Sequence, residues 1–375
     1  MSLPAPSPLE CLPNELLDQI ISSLATPPPS STRLHQPPTH RITKNATRDL
    51  KNLSQASASL LALVRPRLFT YACSDLEDEA IFLAFLARLD LARHVTSVVV
   101  KGSDSPENRE DPFWWRRVLG YLDPLRVTVV APPPFIGAML GTQIMDGHSW
   151  AFEIPLQILH LERNGRQGGR ACYARLQEHS SLLSARTWKS LWFNESSSLK
   201  AYSHYEYFLF QVPSLFTQWG SLASPPRRPA ELPESLSLNR LTTFSYTAVF
   251  PFYNHVKLVL DAVCLMTSLQ SLRTQLAPCQ NDRVIELEQR GSIDPSDPWM
   301  ELATAYSLIA HAVRDLGAKG CLRRFTAWDF QFDALRPELS SILNDILEET
   351  RWSHDGQGVW TRIARFPVRV SSHDR

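Results

Sequence analysis

Val95-Thr96-Ser97-Val98-Val99-Val100 is followed, thirty residues on, by Leu125-Arg126-Val127-Thr128-Val129-Val130. Short β-branched runs of this kind read as strands. Leu156-Gln157-Ile158-Leu159-His160-Leu161 and Trp188 to Phe193 come next, and the first four starts, 95, 125, 156 and 188, lie 30, 31 and 32 residues apart. Leu241 to Tyr246, Leu269 to Thr274 and Leu322 to Ala327 start 53, 28 and 53 residues further along. Helical periodicity fills the intervals at Leu76 to Leu89, Pro112 to Leu122, Tyr253 to Met266, Trp299 to Leu316 and Leu335 to Leu347. Strand alternating with helix predicts an α/β fold. The recurrence predicts a solenoid whose neighbouring units share one core. A doubly wound α/β sheet gives the same alternation and is the alternative.

The chain opens differently. Leu12-Pro13-Asn14-Glu15-Leu16-Leu17-Asp18-Gln19-Ile20-Ile21-Ser22-Ser23-Leu24 carries its apolar residues in one helical stripe. Pro13 suits a first helical turn, where its missing N–H costs nothing. Glu15 and Asp18 suit the positive end of the helix dipole. The helix is expected to stop at Pro27-Pro28-Pro29. A second is expected from Thr47–Asp49 to just before Pro66, with Leu50, Leu53, Ala56, Leu60, Leu61 and Val64 as its apolar or small positions. Two helices bury too little surface to stand alone, so a third element or a partner is needed. Between them, residues 25 to 47 hold five prolines and read as an extended, solvated loop. Such an insertion costs little entropy, about 0.6 kcal/mol per doubling of loop length.

Leu12-Pro13 with Glu15-Leu16-Leu17 and Ile20-Ile21, then Asp49-Leu50-Lys51-Asn52-Leu53-Ser54, then Leu63-Val64-Arg65-Pro66-Arg67-Leu68-Phe69, resemble the three blocks of the F-box family in its filamentous-fungal form. Leu122 to Pro133 and Asn194 to Leu209 are similar to stretches found in the same fungal proteins. The runs at 156, 241, 269 and 322 read L-x-x-apolar, loosely like a leucine-rich repeat without its repeated Asn. The resemblance implies a helical F-box that docks on the S-phase-kinase-associated adaptor, and through it on a cullin. The implied contacts are Leu12, Pro13, Leu16, Leu17, Ile20 and Ile21 with Leu50, Leu53 and Leu60. The remainder would present a target protein to the ligase, and this context favours the solenoid over the doubly wound sheet. The expected division is a flexible leader 1–8, an F-box 9–75 with its insertion 25–47, a leucine-rich-repeat-like array 76–352 with an exposed loop 220–236, and a tail 353–375. The function so implied is that of substrate receptor in a cullin-RING (SCF-type) ubiquitin ligase. A non-degradative interaction scaffold is the alternative, and an unrecognised hydrolase stands behind both.

Composition fits a binding protein. Lys plus Arg and Asp plus Glu are 38 each, so no net field draws nucleic acid or an anionic membrane. Charged residues are 20% of the chain and Trp numbers 10, a balance suited to protein interfaces. Cys11, Cys73, Cys172, Cys264, Cys279 and Cys321 form no C-x-x-C pair and read as reduced thiols mostly in a core. No secretory signal and no apolar run of spanning length is visible, so cytosol or nucleus is expected, with the sequons at Asn45, Asn52 and Asn194 unglycosylated. Gly147-His148-Ser149-Trp150-Ala151 lacks the last glycine of a nucleophile elbow, and Gly165 to Arg170 lacks the Lys-Ser/Thr of a phosphate loop. Glu77-Asp78-Glu79 reads as a solvated helix face, and Arg227-Arg228 and Arg323-Arg324 are too short for nucleic-acid patches. No catalytic residue, cofactor or metal is expected. Trp114-Trp115 point about 100° apart on a helix, which favours core packing but leaves one as a candidate partner contact.

Overall fold

The computed structural model describes residues 7–25, 27, 32–39, 42, 47–105, 108–109, 111–144, 151–166, 176–204, 209, 211–221, 237–279, 282, 285, 288 and 294–363. The leader 1–6, the possible nucleophile at Ser149, the glycines 168 and 169, Cys172, Asn45, Arg227-Arg228 in the loop 222–236 and the tail from 364 lie outside them.

Ten strands form one sheet: β1 (Tyr71–Asp75), β2 (Ser97–Lys101), β5 (Arg126–Ala131), β6 (Gln157–Glu162), β7 (Ser190–Ser197), β8 (Thr243–Val249), β9 (Ser271–Gln275), β10 (Arg324–Ala327), β11 (Trp352–His354) and β12 (Val359–Arg362). β3 (Asp104–Ser105) and β4 (Asn108–Arg109) pair only with each other. The helices are α1 (Asn14–Leu24), α2 (Arg48–Ala56), α3 (Ala58–Leu68), α4 (Glu79–Arg88), α5 (Trp114–Tyr121), α6 (Pro133–Met139), α7 (Phe216–Ser221), α8 (Tyr253–Cys264), α9 (Asp297–Ala318) and α10 (Arg336–Leu347).

The α/β class is as expected, and the repeat array is not. Strand order is β1-β2-β5-β6-β7-β8-β9-β10-β12-β11, a single sheet and no solenoid. β6 runs antiparallel to both of its neighbours, and the sheet closes with an antiparallel β12–β11 pair. Equal spacing along the chain had implied equal units, but spacing carries no information about strand direction. The doubly wound alternative fails too. The order runs with the chain as far as β10, with no central switch point, and residues of α4 to α10 share one core with one face of the sheet.

The seven anticipated strands are all present, each starting one or two residues late. Apolar residues such as Val95, Leu241, Leu269 and Leu322 are buried just ahead of the strand rather than in it. Behind them a repeated clamp brings in five strands, β2, β5, β8, β9 and β10. The N–H groups of Thr96 and Ser97 both donate to Thr70 O, those of Leu125 and Arg126 to Thr96 O, those of Thr242 and Thr243 to Lys189 O, those of Gln270 and Ser271 to Thr242 O, and those of Arg323 and Arg324 to Gln270 O. The clamp is shared by these five strands and not by β6 and β7, so it accounts for only part of the regularity in a sheet that is not itself built of repeats.

Alternation puts Val98, Val100, Val127, Val129, Leu159, Leu161, Leu191, Phe193, Phe244, Tyr246, Leu272 and Phe325 under the helices. The opposite face carries no helix of this group. Part of it, at Val99, Val130 and Ile158, is covered by Leu34 and Ile42 from the Pro-rich insertion. The described part of the insertion is therefore a strap on the sheet, not the solvated loop its composition predicts.

Candidate protein-interaction surfaces

The N-terminal helices make a unit with a core of its own: Ile21, Leu50 and Val64, packed by Leu24, Ala25, Leu53, Leu63 and Leu68. The expected second helix is two. Ser57 takes extended backbone (φ −159°, ψ 164°), and its hydroxyl accepts from Leu60 N at 3.1 Å as an N-cap. The chain thus turns between α2 and α3 and supplies the third element. Pro66 sits inside α3 rather than ending it.

This packing sorts the residues that the family resemblance assigned to the adaptor. Leu17, Ile21, Leu50 and Leu60 are buried inside the chain and are not free to meet a partner. Leu12 and Leu53 are half-buried, and Pro13 is exposed. Leu16 and Ile20, one turn apart on α1, are 44% and 36% exposed. The accessible apolar strip is therefore Pro13, Leu16 and Ile20. Arg67 and Asp18 pair at 3.4 Å across the exposed surface of the unit.

Trp114 and Trp115 are 1% and 0% exposed, so neither is a partner contact. Val118 and Leu119 are buried with them, an arc of about 140° that is wide enough for both indoles. Glu79 is likewise no solvated carboxylate: buried, it takes a bidentate pair from Arg117 at 2.8 and 2.7 Å. Arg166 donates to the carbonyls of Arg93 and Val95, a structural use for a residue of the glycine-rich turn. Of the described cysteines, Cys11, Cys264 and Cys321 are exposed, against expectation, and Cys73 and Cys279 are partly buried.

The second surface is the open face of the sheet, and sequence reasoning missed how the strap meets it. Asn194 Nδ2 donates to Leu34 O at 2.7 Å and to Gln36 O at 2.9 Å, while its Oδ1 accepts from Ser196 N. Cys279 Sγ donates to His35 O, and the His35 ring meets Trp328 edge-on at 5.2 Å, with Trp192 beyond. Asn194, read as a sequon, is buried by this work. A cavity of about 170 Å³ remains at the strap's margin, lined by His35, Asn194, Ser197, Thr247 and Glu288 among others. That is below the roughly 300 Å³ of ordinary small-molecule pockets. Burial pushes the Glu288 carboxyl up, although the Ser197 hydroxyl donates to it at 2.7 Å.

Two acidic groups are sealed in the core. A β-bulge after Asn194, with Ser196 at φ +73°, accompanies the inward turn of Glu195. Its carboxylate accepts from Ser214 Oγ and from Tyr246 OH, and His255 Nε2 bonds to it at 2.8 Å. Serine, histidine and glutamate are hydrolase residue types, but the wiring differs. A triad needs imidazole on the hydroxyl. Here hydroxyl and imidazole each bond to the carboxylate, and all three residues are buried. Asp329 Oδ2 accepts from Tyr306 OH at 2.6 Å and from the N–H groups of Leu276 and Ala277. Both clusters bind helices or turns to the sheet. Among the described residues no group of His, Cys, Asp and Glu is placed to hold a metal, and no helix is long and apolar enough to cross a membrane.

Set against models of known protein families, curated proteins and solved structures, the chain matches none.

Proposed function

We propose that the chain is the substrate-receptor subunit of a cullin-RING (SCF-type) ubiquitin ligase, binding the S-phase-kinase-associated adaptor through α1 to α3 and a target protein through the sheet. The observation that carries this reading is the apolar strip Pro13, Leu16 and Ile20 left outside an already closed three-helix core. A helix this short has no internal reason to show two large aliphatic side chains one turn apart, whereas a docking helix does. The mechanism is proximity: a held target meets the ubiquitin-loaded enzyme at raised effective concentration. No side chain of this chain is assigned covalent chemistry.

Co-expression with the adaptor and size-exclusion chromatography test it, with Leu16→Ala/Ile20→Ala beside the wild type. The wild type should co-elute. The variant, whose altered positions lie outside the core, should stay folded and lose at least about tenfold in affinity, the scale of two buried aliphatic contacts. A well-folded wild type that does not co-elute would remove the adaptor reading. Co-elution without accumulation of any bound protein on deletion of the chain would favour the scaffold reading instead.

A further inference from the structure

Tyr71-Ala72-Cys73-Ser74-Asp75 forms the outermost strand of the sheet, and β2 is its one strand neighbour among the described residues. Edge strands are normally blunted by shortness, a bulge, a proline or a lysine. The opposite edge obeys, since β11 is only three residues long. β1 does not. It pairs with β2 over five consecutive residues without a break, and it holds no proline, glycine or lysine. The Thr70 carbonyl accepts from Thr96 and Ser97, on the side of β2. Backbone groups alternate in direction along a strand, so Ala72 and Ser74 also face β2. The N–H and C=O groups of Tyr71 and Cys73 face outward, where no strand receives them.

A trough of about 600 Å³ runs beside this edge. Its floor is Ile81, Phe82 and Phe85 of α4, and Asp75 and Asp78 stand at its rim. Ile81 is 72% exposed, more than any other large apolar side chain among the described residues. Phe85 is braced from within by Phe69, with ring centroids 5.8 Å apart. Asp75 and Asp78 are exposed, have no ion pair among the described residues, and cap neither of the helical turns they precede. Ala72 packs into the core on the helix side, while Cys73 packs with the strap on the open face. A strand laid against β1 would therefore set alternate side chains over Phe82 and Phe85, and the intervening ones beside Cys73 and Asp75.

We propose that β1 and α4 form a docking site for an extended segment of another protein, which joins the sheet as an eleventh strand. The segment it fits carries bulky apolar residues at alternate positions and Lys or Arg between them, toward the Asp75 end. Main-chain hydrogen bonds to Tyr71 and Cys73 supply affinity, and the apolar floor and two carboxylates supply sequence preference. A second copy of β1 fits poorly. Its helix-side residues, Ala72 and Ser74, are too small to fill the trough, and it has no cation for Asp75 or Asp78. The proposal goes beyond the receptor reading and does not rest on it, since Pro13, Leu16 and Ile20 take no part.

The test uses the purified full chain without adaptor. The probe is a fluorescent peptide pool of about six residues, the length of an ordinary strand, alternating Val, Ile or Phe with Lys. Its twins carry Glu for Lys, or N-methyl groups on one or the other set of alternate amides. Anisotropy should show the Lys pool bound in preference to the Glu pool. One N-methylated twin, and not the other, should lose at least about tenfold, the scale of two main-chain hydrogen bonds. Bound peptide should slow hydrogen exchange at the Tyr71 and Cys73 amides. Asp75→Lys/Asp78→Lys should reverse the preference to the Glu pool. Cys73→Pro, which removes an outward N–H and leaves the ladder to β2 intact, should abolish binding of both pools. Circular dichroism checks that each variant folds, and the charge reversal decides the matter if Cys73→Pro does not. No binding of the Lys pool, equal binding of the two N-methylated twins, or a Lys preference that survives the charge reversal would overturn the proposal. Concentration-dependent self-association that Cys73→Pro prevents would assign this edge to a second copy of the chain and overturn it as well.

Discussion

Burial holds the His160 imidazole neutral, its pKa pulled down to about 3, and the nearby charge on Arg126 adds to the effect. The ring is bonded through Nδ1 to Thr128 Oγ1 at 2.8 Å. An unfolded chain would take up a proton near 6.5, and the folded one does not. Stability contributed by the neutral ring is therefore present above pH 6.5 and is lost as pH falls toward 3, on the order of 5 kcal/mol over the whole span at 1.36 kcal/mol per unit. Asp329 works in the other direction. Burial pushes it up to about 6, against the three hydrogen bonds that favour its charged form. Its folded state holds a proton that the unfolded state releases near 3.8, so its contribution is present below that value and is lost as pH rises through 6, about 3 kcal/mol in all. Urea unfolding across pH 4 to 7 separates the two. His160→Phe should flatten the loss of stability below pH 6.5. Asp329→Asn should remove a decline between pH 4 and 6. An unchanged acid slope in His160→Phe would show that the ring is not kept neutral by the fold.

The strap decides what happens to the upper part of the open face, and Asn194 decides whether the strap stays. Asn194→Ala removes both hydrogen bonds to the carbonyls of Leu34 and Gln36 and should cost about 2 kcal/mol. Asn194→Asp should cost more, because a carboxylate would face two acceptors with nothing to donate. Limited proteolysis reads this directly: cleavage near Leu34 should become fast in either variant while α8 and α9 stay resistant, and an unaltered digest would mean that Leu34 and Ile42 hold the strap unaided. This element also marks the limit of what was legible in the sequence. Periodicity located seven strands and the helices α8, α9 and α10, because burial on one face imposes its period on the residues. The strap has no period. Its two apolar anchors lie among prolines and polar residues, and their partners are in β2, β5 and β6. The break at Ser57 falls inside a run whose apolar spacing reads as one continuous helix, so periodicity passed over it. On α1 the i, i+1, i+4, i+5 stripe includes core and surface alike, so the sequence did not tell which of its residues stay outside.

The whole molecule has cores of very unequal size. Among the described residues one runs the length of the sheet beneath seven helices, a second joins Leu34 and Ile42 of the strap to Val99, Val130 and Ile158, and the third is the small cluster of Ile21, Leu50 and Val64 within α1 to α3. A unit so small is marginal alone, and hydrogen exchange should find it opening at lower free energy than the sheet. Ile21→Ala should deepen that difference by about 2–4 kcal/mol, accelerating exchange in α1, α2 and α3 and leaving β7, β8 and α9 at wild-type protection. If the slowest amides of the sheet accelerate equally, the first and third cores unfold as one, and the strap and β1 transmit stability between them. Adaptor supplies the complementary measurement. Bound at a hundredfold over its dissociation constant, it should raise the protection of α1 by about 2.7 kcal/mol through mass action alone. That gain should disappear in Leu16→Ala/Ile20→Ala, whose altered side chains contribute nothing to the Ile21 core. Adaptor-dependent protection that appeared instead on β9 and β10 would place the docking surface on the open face, and the roles of helix and sheet would have to be exchanged.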